Sequence, residues 1–200
     1  VIERNIVEIN DKQLDDEVEL FPLTSIQQAY WLGRKDIHNL GSIPTHYYFE
    51  FEEENLNIEV FEEKFNYLIR YHEMMRAIIL PDGQQQKILK DVGCYHIKIN
   101  DFRGYDNETV ENELCNIRKS FYKDINDSSE WPLFDVKVSI LDDSSYRIHM
   151  CFDNIVFDGG SIYLILNQLN QLYNDIDKKL PKLSCSFKDY VIKINEQKEL

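Results

Sequence analysis

The residue types best suited to chemistry stand together in one run, Asp153-Asn154-Ile155-Val156-Phe157-Asp158-Gly159-Gly160-Ser161, which has the form D-x-x-x-x-D-x-x-S. An alternating apolar segment that predicts a strand precedes it, and an apolar stripe that predicts a helix follows. Such a junction brings side chains to a sheet end where a substrate can reach them, and two adjacent glycines permit a close turn. Asp158 or Ser161 can equally cap the following helix by accepting its first N–H groups. The motif alone therefore fits a reactive loop and ordinary turn chemistry alike.

Side chains alternate on a strand, so His149, Cys151 and Asp153 share a face and offer a thiol, an imidazole and a carboxylate. Residues two apart are about 7 Å apart and project in parallel, a poor geometry for a thiol-imidazole bond, so a Cys151 nucleophile is disfavoured. His72, at a predicted helix end, is expected to cap carbonyls or pack. Tyr30, Trp31, Tyr47 and Tyr48 fit either a substrate channel or a core, with core the commoner fate. Arg34 fits a local salt bridge or a channel wall. The run Glu52-Glu53-Glu54 and Lys178, Lys179 and Lys182 read as solvated surface, with the lysines able to meet an acidic partner.

The elements that must position these groups follow from periodicity. Thr24 followed by Gln27 has the form of a capping box and predicts a helix starting near Ser25. Thr45 to Phe51 reads as a strand. From Ile58 to Tyr71 the residues Val60, Phe61, Phe65, Leu68 and Ile69 fall at helical spacing, which leaves Glu62, Glu63 and Lys64 for solvent. Pro81-Asp82-Gly83 predicts a hairpin turn between Arg76 to Leu80 and Gln84 to Leu89. A helix is predicted over 108–123, and a second hairpin joins Phe134 to Leu141 with Tyr146 to Phe152 around Asp142-Asp143-Ser144-Ser145. Leu164, Ile165, Leu169 and Leu172 stripe a helix over Ile162 to Tyr173, and Phe187 to Leu200 reads as a helix or its flank. The order is helix, strand, helix, hairpin, strand, helix, hairpin, helix. It predicts an α/β (α+β) unit in which helices pack on a mixed, largely antiparallel sheet. Residues 1–20 form a polar lead-in and 21–200 the folded unit.

Composition narrows the partners. The 200 residues are 43% hydrophobic and 12% aromatic, enough for one core. With 22 Lys+Arg against 36 Asp+Glu the formal charge is -14, so nucleic acid would meet repulsion. No apolar run approaches the roughly 20 residues that span a bilayer, nor is there a signal-like N-terminus, and a soluble cytoplasmic protein with no membrane partner is expected. Cys94, Cys115, Cys151 and Cys185 are scattered and read as reduced thiols, with no metal-ligand spacing.

Two further segments specify a family. Phe21-Pro22-Leu23-Thr24-Ser25-Ile26-Gln27-Gln28-Ala29-Tyr30-Trp31-Leu32-Gly33-Arg34 strongly resembles the opening signature of non-ribosomal peptide synthetase heterocyclization domains. Arg70-Tyr71-His72-Glu73-Met74-Met75-Arg76 resembles the R-H-E-x-L-R motif of the wider condensation superfamily. With D-x-x-x-x-D-x-x-S these stand in the family's order, and that last motif separates the cyclizing branch from amide-forming relatives, which carry H-H-x-x-x-D-G. Asn154 occupies the position of the second histidine and cannot accept a proton at neutral pH, which excludes a histidine base there.

The resemblance implies a chloramphenicol acetyltransferase-like lobe, the first of two that form a V around a tunnel. It implies that an acyl or peptidyl thioester is joined to Cys, Ser or Thr and cyclodehydrated to a thiazoline or oxazoline. Substrates would arrive on the phosphopantetheine of peptidyl or aryl carrier protein domains, beside an adenylation domain, with no cofactor bound directly. Asp158 is expected to pair with Arg76 and hold the loop in shape. Asp153 is the candidate to position or polarise the acceptor, with Ser161 bonding within the loop or to substrate. Asn154, Tyr30 and Arg34 are candidate substrate-binding residues, and Arg76 and Gly159 belong to the structural motif. The C-terminal lobe would supply further residues, so the isolated chain is expected to fold without forming thiazoline. The alternatives are an amide-forming lobe with a degenerate motif and a non-catalytic carrier-docking lobe. A free-standing acetyltransferase would need a histidine where Asn154 stands.

Overall fold

Alternation along the last predicted hairpin sets the architecture. In a computed structural model, which describes residues 19–35, 44–123 and 126–198, strand β7 (Ser145–Asp153) lies inside a four-stranded sheet. Antiparallel neighbours β2 (His46–Glu54) and β6 (Phe134–Ile140) flank it, and β5 (Lys98–Asp101) joins β6 in parallel. Ile148, Met150 and Phe152 of β7 face one way, into the main core. That core is completed by Phe61, Phe65, Leu68 and Ile69 of α2 (Ile58–Tyr71) and by Ile162, Ile165, Leu169 and Leu172 of α4 (Gly159–Asn174).

The intervening residues Arg147, His149, Cys151 and Asp153 take the other face. There α3 (Asn107–Lys123) covers them: Arg118 of α3 meets Glu50 of β2, and the Phe121 ring lies 6.4 Å from that of His149. The sheet is thus sandwiched between α2 with α4 on its apolar side and α3 on its polar side.

A second, three-stranded sheet has the order β1-β4-β3, formed by Leu20–Pro22, Gln85–Ile88 and Ala77–Ile79. Its hairpin turns at Pro81-Asp82-Gly83 as expected. Helix α1 (Ser25–Arg34) begins on the predicted capping box, with Thr24 Oγ1 accepting the Gln27 N–H at 3.2 Å and Gln27 Oε1 accepting the Thr24 N–H at 3.0 Å. The final predicted helix is α5 (Phe187–Lys198). Residues 1–18 of the expected lead-in lie outside the described residues.

One expectation about α2 is corrected. Lys64 is buried and bonded to Glu63, and Glu62 accepts the Ile97 N–H at 2.7 Å. Glu62 is engaged because the 95–97 segment lies along its side of α2, where Asn66 exchanges hydrogen bonds with the Tyr95 backbone at 2.7 and 2.8 Å. Glu63 remains exposed. No helix among the described residues is long and apolar enough to cross a membrane.

Candidate active-site loop

β7 delivers Asp153 to the sheet end, where its N–H donates to the Leu133 carbonyl at 3.0 Å and the next N–H, of Asn154, donates to Thr45. Its Oδ1 accepts the Ile155 N–H at 2.9 Å and the Nη2 of Arg34, in the last turn of α1. Both side chains of this ion pair are buried, at 8% and 4% exposure. Asp153 Oδ2, Arg34 Nε, Asn154 Oδ1 and Trp31 Nε1 are buried without hydrogen-bond partners among the described residues.

The loop after Asp153 is fixed by alternate apolar anchors. Ile155 enters a small cluster with Leu23, Ile79 and Leu133, against which the half-buried Tyr30, Trp31 and Val156 pack. Phe157 enters the main core, and the N–H groups of Val156 and Phe157 close onto the Asp153 carbonyl at 3.2 and 3.0 Å. Tyr30, a candidate substrate-binding residue, therefore sits against the loop as packing. Asn154 is partly exposed, while Asp158, Gly159 and Gly160 form the exposed stretch of the motif.

Asp158 is the N-cap of α4, accepting the Ser161 N–H at 2.7 Å. Hydrogen bonds from the Ser161 side chain and backbone hold its carboxyl below the usual carboxylate range. Ser161 thus bonds within the loop. The expected pairing of Asp158 with Arg76 is absent. The Arg76 guanidinium donates instead to the carbonyls of Ile69 at 3.2 Å, Leu89 at 2.5 Å and Lys90 at 3.2 Å, joining the end of α2 to the end of β4. Each group is taken by backbone close to it: the carboxylate by its own helix's orphan donors, the guanidinium by orphan carbonyls. The expectation that the two glycines serve a close turn is also overturned. Both lie in the first turn of α4 outside the left-handed region, and a Cβ on Gly159 would meet nothing within 4 Å.

On the polar face, His149, Cys151 and Asp153 do share a side, yet each has separate company. The His149 ring lies 3.0 Å from Ser139 Oγ through Nε2, and through Nδ1 2.9 Å from the Tyr48 hydroxyl and 3.3 Å from Glu50. Burial lowers its pKa to about 4, against the pull of Glu50. Burial alone would raise the Glu50 carboxyl, but hydrogen bonds from Arg118, Tyr48 and Arg147 outweigh it and hold the group at about 2. Burial, with Asp135 and Asp153 nearby, pushes the Cys151 thiol up to about 12, which removes it as a nucleophile at neutral pH. The Glu50–Arg118–Arg147 network was not foreseen; the one signal for it was Glu50 interrupting an otherwise aromatic stretch. His72 caps the end of α2, and its Nε2 meets Gln168 Oε1 at 2.6 Å, a packing role as expected.

A shallow depression of about 550 Å³ lies elsewhere, lined by Asn55, Asn57, Glu59, Asp143 and Tyr146 at the start of β7. At about 3.3 Å per residue the strand sets it some 26 Å from Asp153, so it plays no part in the motif. What the loop can do is present Asp158 and the exposed start of α4 on a base that Arg34 and Asp153 hold rigid.

The condensation-domain family model matches residues 18–200. Bacitracin synthase 1 of Bacillus licheniformis is 33% identical over 174 residues, which are 87% of this chain and 3% of that protein. Phenyloxazoline synthase MbtB of Mycolicibacterium paratuberculosis is 31% identical over 176 residues, 87% of this chain and 15% of the synthase. The solved EpoB cyclization-docking bidomain of a non-ribosomal peptide synthetase from Sorangium cellulosum superposes with a TM-score of 0.84 at 33% identity, covering 90% of this chain and 36% of that one. The chain therefore spans only a small part of the relatives it matches.

Proposed function

The chain belongs to the condensation-domain family, and from that premise we propose that it is an N-terminal lobe of the heterocyclization branch, forming one wall of a site that condenses and cyclizes carrier-bound substrates. In the first step an amine of Cys, Ser or Thr attacks an acyl or peptidyl thioester, a C–N bond forms and the carrier thiol leaves. In the second the side-chain thiol or hydroxyl adds to the new amide carbonyl, and water departs to give thiazoline or oxazoline. Both steps are redox-neutral. The substrates ride on phosphopantetheine arms of carrier protein domains, with an adenylation domain and the second lobe as neighbours.

The observation that carries this reading is the buried Arg34–Asp153 ion pair, which joins the family's opening signature to its D-x-x-x-x-D loop. Its burial exchanges the roles that motif spacing suggested. Asp153 is a positioning residue held by Arg34, whereas Asp158, exposed at the start of α4, is the carboxylate that a substrate can meet. Asn154 leaves the site without a histidine base, which favours cyclization over plain amide formation.

The test is product mass in the intact parent synthetase. The expected product is one water lighter than the linear amide; linear amide alone would establish the amide-forming reading. Full cyclization in both Asp153→Ala and Asp158→Ala parents, with carrier binding intact, would establish a docking lobe.

A further inference from the structure

We infer that Gln86, on the central strand of the small sheet and outside every motif, is a positioning residue for the D-x-x-x-x-D loop and acts through Gln27. This rests on the heterocyclization reading for its activity readout, and on geometry alone for the rest. Gln86 is 0% exposed and Gln27 5%. Their side chains form a reciprocal amide pair, with Gln27 Nε2 donating to Gln86 Oε1 and Gln86 Nε2 to Gln27 Oε1, each at 2.9 Å. The second hydrogen of Gln86 goes to the Pro22 carbonyl at 3.1 Å, and the second of Gln27 to the Ile155 carbonyl at 3.0 Å. Gln27 Oε1 also accepts the Thr24 N–H.

Every amide hydrogen in the pair is thus committed, and the pair can exist in one orientation only. Turning the Gln27 amide over would set its nitrogen against the Thr24 and Gln86 donors and its oxygen against the carbonyls of Ile155 and Gln86. In a buried site each such mismatch leaves polar groups unsatisfied. The Ile155 residue is consequently gripped at both ends, its N–H by Asp153 Oδ1 and its carbonyl by Gln27. Gln86 does not touch the loop; it fixes which end of Gln27 faces it.

The geometry makes a specific demand on Gln86→Glu. While protonated, the introduced carboxyl can still donate to Gln27 Oε1. Once ionised it has no hydrogen to give and sets an oxygen against Gln27 Oε1 whichever way that amide lies, so the pair is forced apart and the Gln27 bond to the Ile155 carbonyl is loosened. Burial raises a carboxyl's pKa, so this release falls at a higher pH than for an exposed glutamate.

The experiment uses the intact parent synthetase. In the Gln86→Glu parent, amide hydrogen exchange of the 153–158 segment and formation of cyclized product are followed against pH, beside the wild type and Gln86→Met. The expected result for Gln86→Glu is near-normal activity at low pH that falls about tenfold relative to wild type as pH rises, with loop exchange rising by a like factor, as for a buried hydrogen bond lost. Gln86→Met should show the faster loop exchange at every pH, with exchange in β6 and β7 unchanged. Should Gln86→Glu fail to fold, Gln86→Met carries the test through loop exchange. Loop exchange equal to wild type in Gln86→Met, or in Gln86→Glu at the high end of the pH range, or a Gln86→Glu activity profile parallel to wild type, would overturn the inference. A wild-type parent that forms no cyclized product would instead refute the chemistry, and the exchange measurement would still decide the role of Gln86.

Discussion

Arg34, at the end of α1, and Asp153, at the end of β7, meet in an ion pair buried from solvent although 119 residues separate them in the chain. Removing one partner of such a pair leaves a charge without compensation, which typically costs about 3–5 kcal/mol. Arg34→Met and Asp153→Asn are each expected to destabilise the chain by an amount of that order. The double variant should cost clearly less than the sum. Urea denaturation of the four proteins checks this, and additive losses would show that the two side chains do not act as a pair.

Asp158 and Arg76 make the opposite case. Asp158→Ala removes an N-cap, worth about 1 kcal/mol, and Arg76→Met removes bonds to three carbonyls. With no contact between them, their losses should add to within about 0.5 kcal/mol. A coupling well above that in the same denaturation series would restore the pairing that motif spacing had suggested.

The thiols should separate by environment. Cys94 and Cys185 are exposed and Cys151 is buried, with its thiol pushed up to about 12. Iodoacetamide at neutral pH is expected to label the first two in the native chain and Cys151 only after denaturation. Peptide mass mapping reads the order directly, and early labelling of Cys151 would contradict the burial assigned to it.

How far the fold was legible follows from the range of the forces involved. The capping box at Thr24, the hairpin at Pro81-Asp82-Gly83 and the alternation of β7 are local, and the structure has them where periodicity put them. The three-residue β1 and the engagement of Glu62 depend on segments far along the chain, and no local pattern carries them. At the site, spacing singled out a loop and two arginines but misassigned the partner of Arg76. Asp158 was matched to Arg76, when its helix's own N–H groups lay closer, and the pairing of Asp153, a candidate to position or polarise the acceptor, with Arg34 joins segments that no local spacing relates. Gln86 carries no motif and shows its role only through Gln27.

Stability should respond to acid through His149. Its folded-state pKa of about 4 lies below the ordinary 6.5, so the unfolded chain takes up this proton first. The contribution is therefore intact above pH 6.5, declines as pH falls, and is fully lost below pH 4. At about 1.4 kcal/mol per tenfold change in proton affinity, the loss between pH 8 and pH 5 is about 2 kcal/mol. Glu50 adds a further loss only as pH falls from 4.5 towards 2. His149→Gln should flatten the upper window while leaving the lower one in place. Thermal melts across pH decide it, and an unchanged slope between pH 6.5 and pH 5 in the variant would assign the titration elsewhere.

Gly83 lies against the Trp31 ring of α1. It holds φ +67 in the turn between β3 and β4, and a Cβ there would stand 2.2–2.5 Å from atoms of the Trp31 ring. Two separate costs therefore attend Gly83→Ala. The left-handed backbone costs a non-glycine residue about 1–2 kcal/mol, and the methyl group collides with an indole that packs beside Ile155 of the loop. Only the second cost depends on Trp31. Gly83→Ala is accordingly expected to destabilise by more than about 2 kcal/mol in the native background. In a Trp31→Leu background, where the ring is gone, its cost should fall back to the backbone strain alone. A double-mutant cycle by urea denaturation isolates the difference. If Gly83→Ala costs the same in both backgrounds, the ring yields freely, and Trp31 does not clamp the turn to α1.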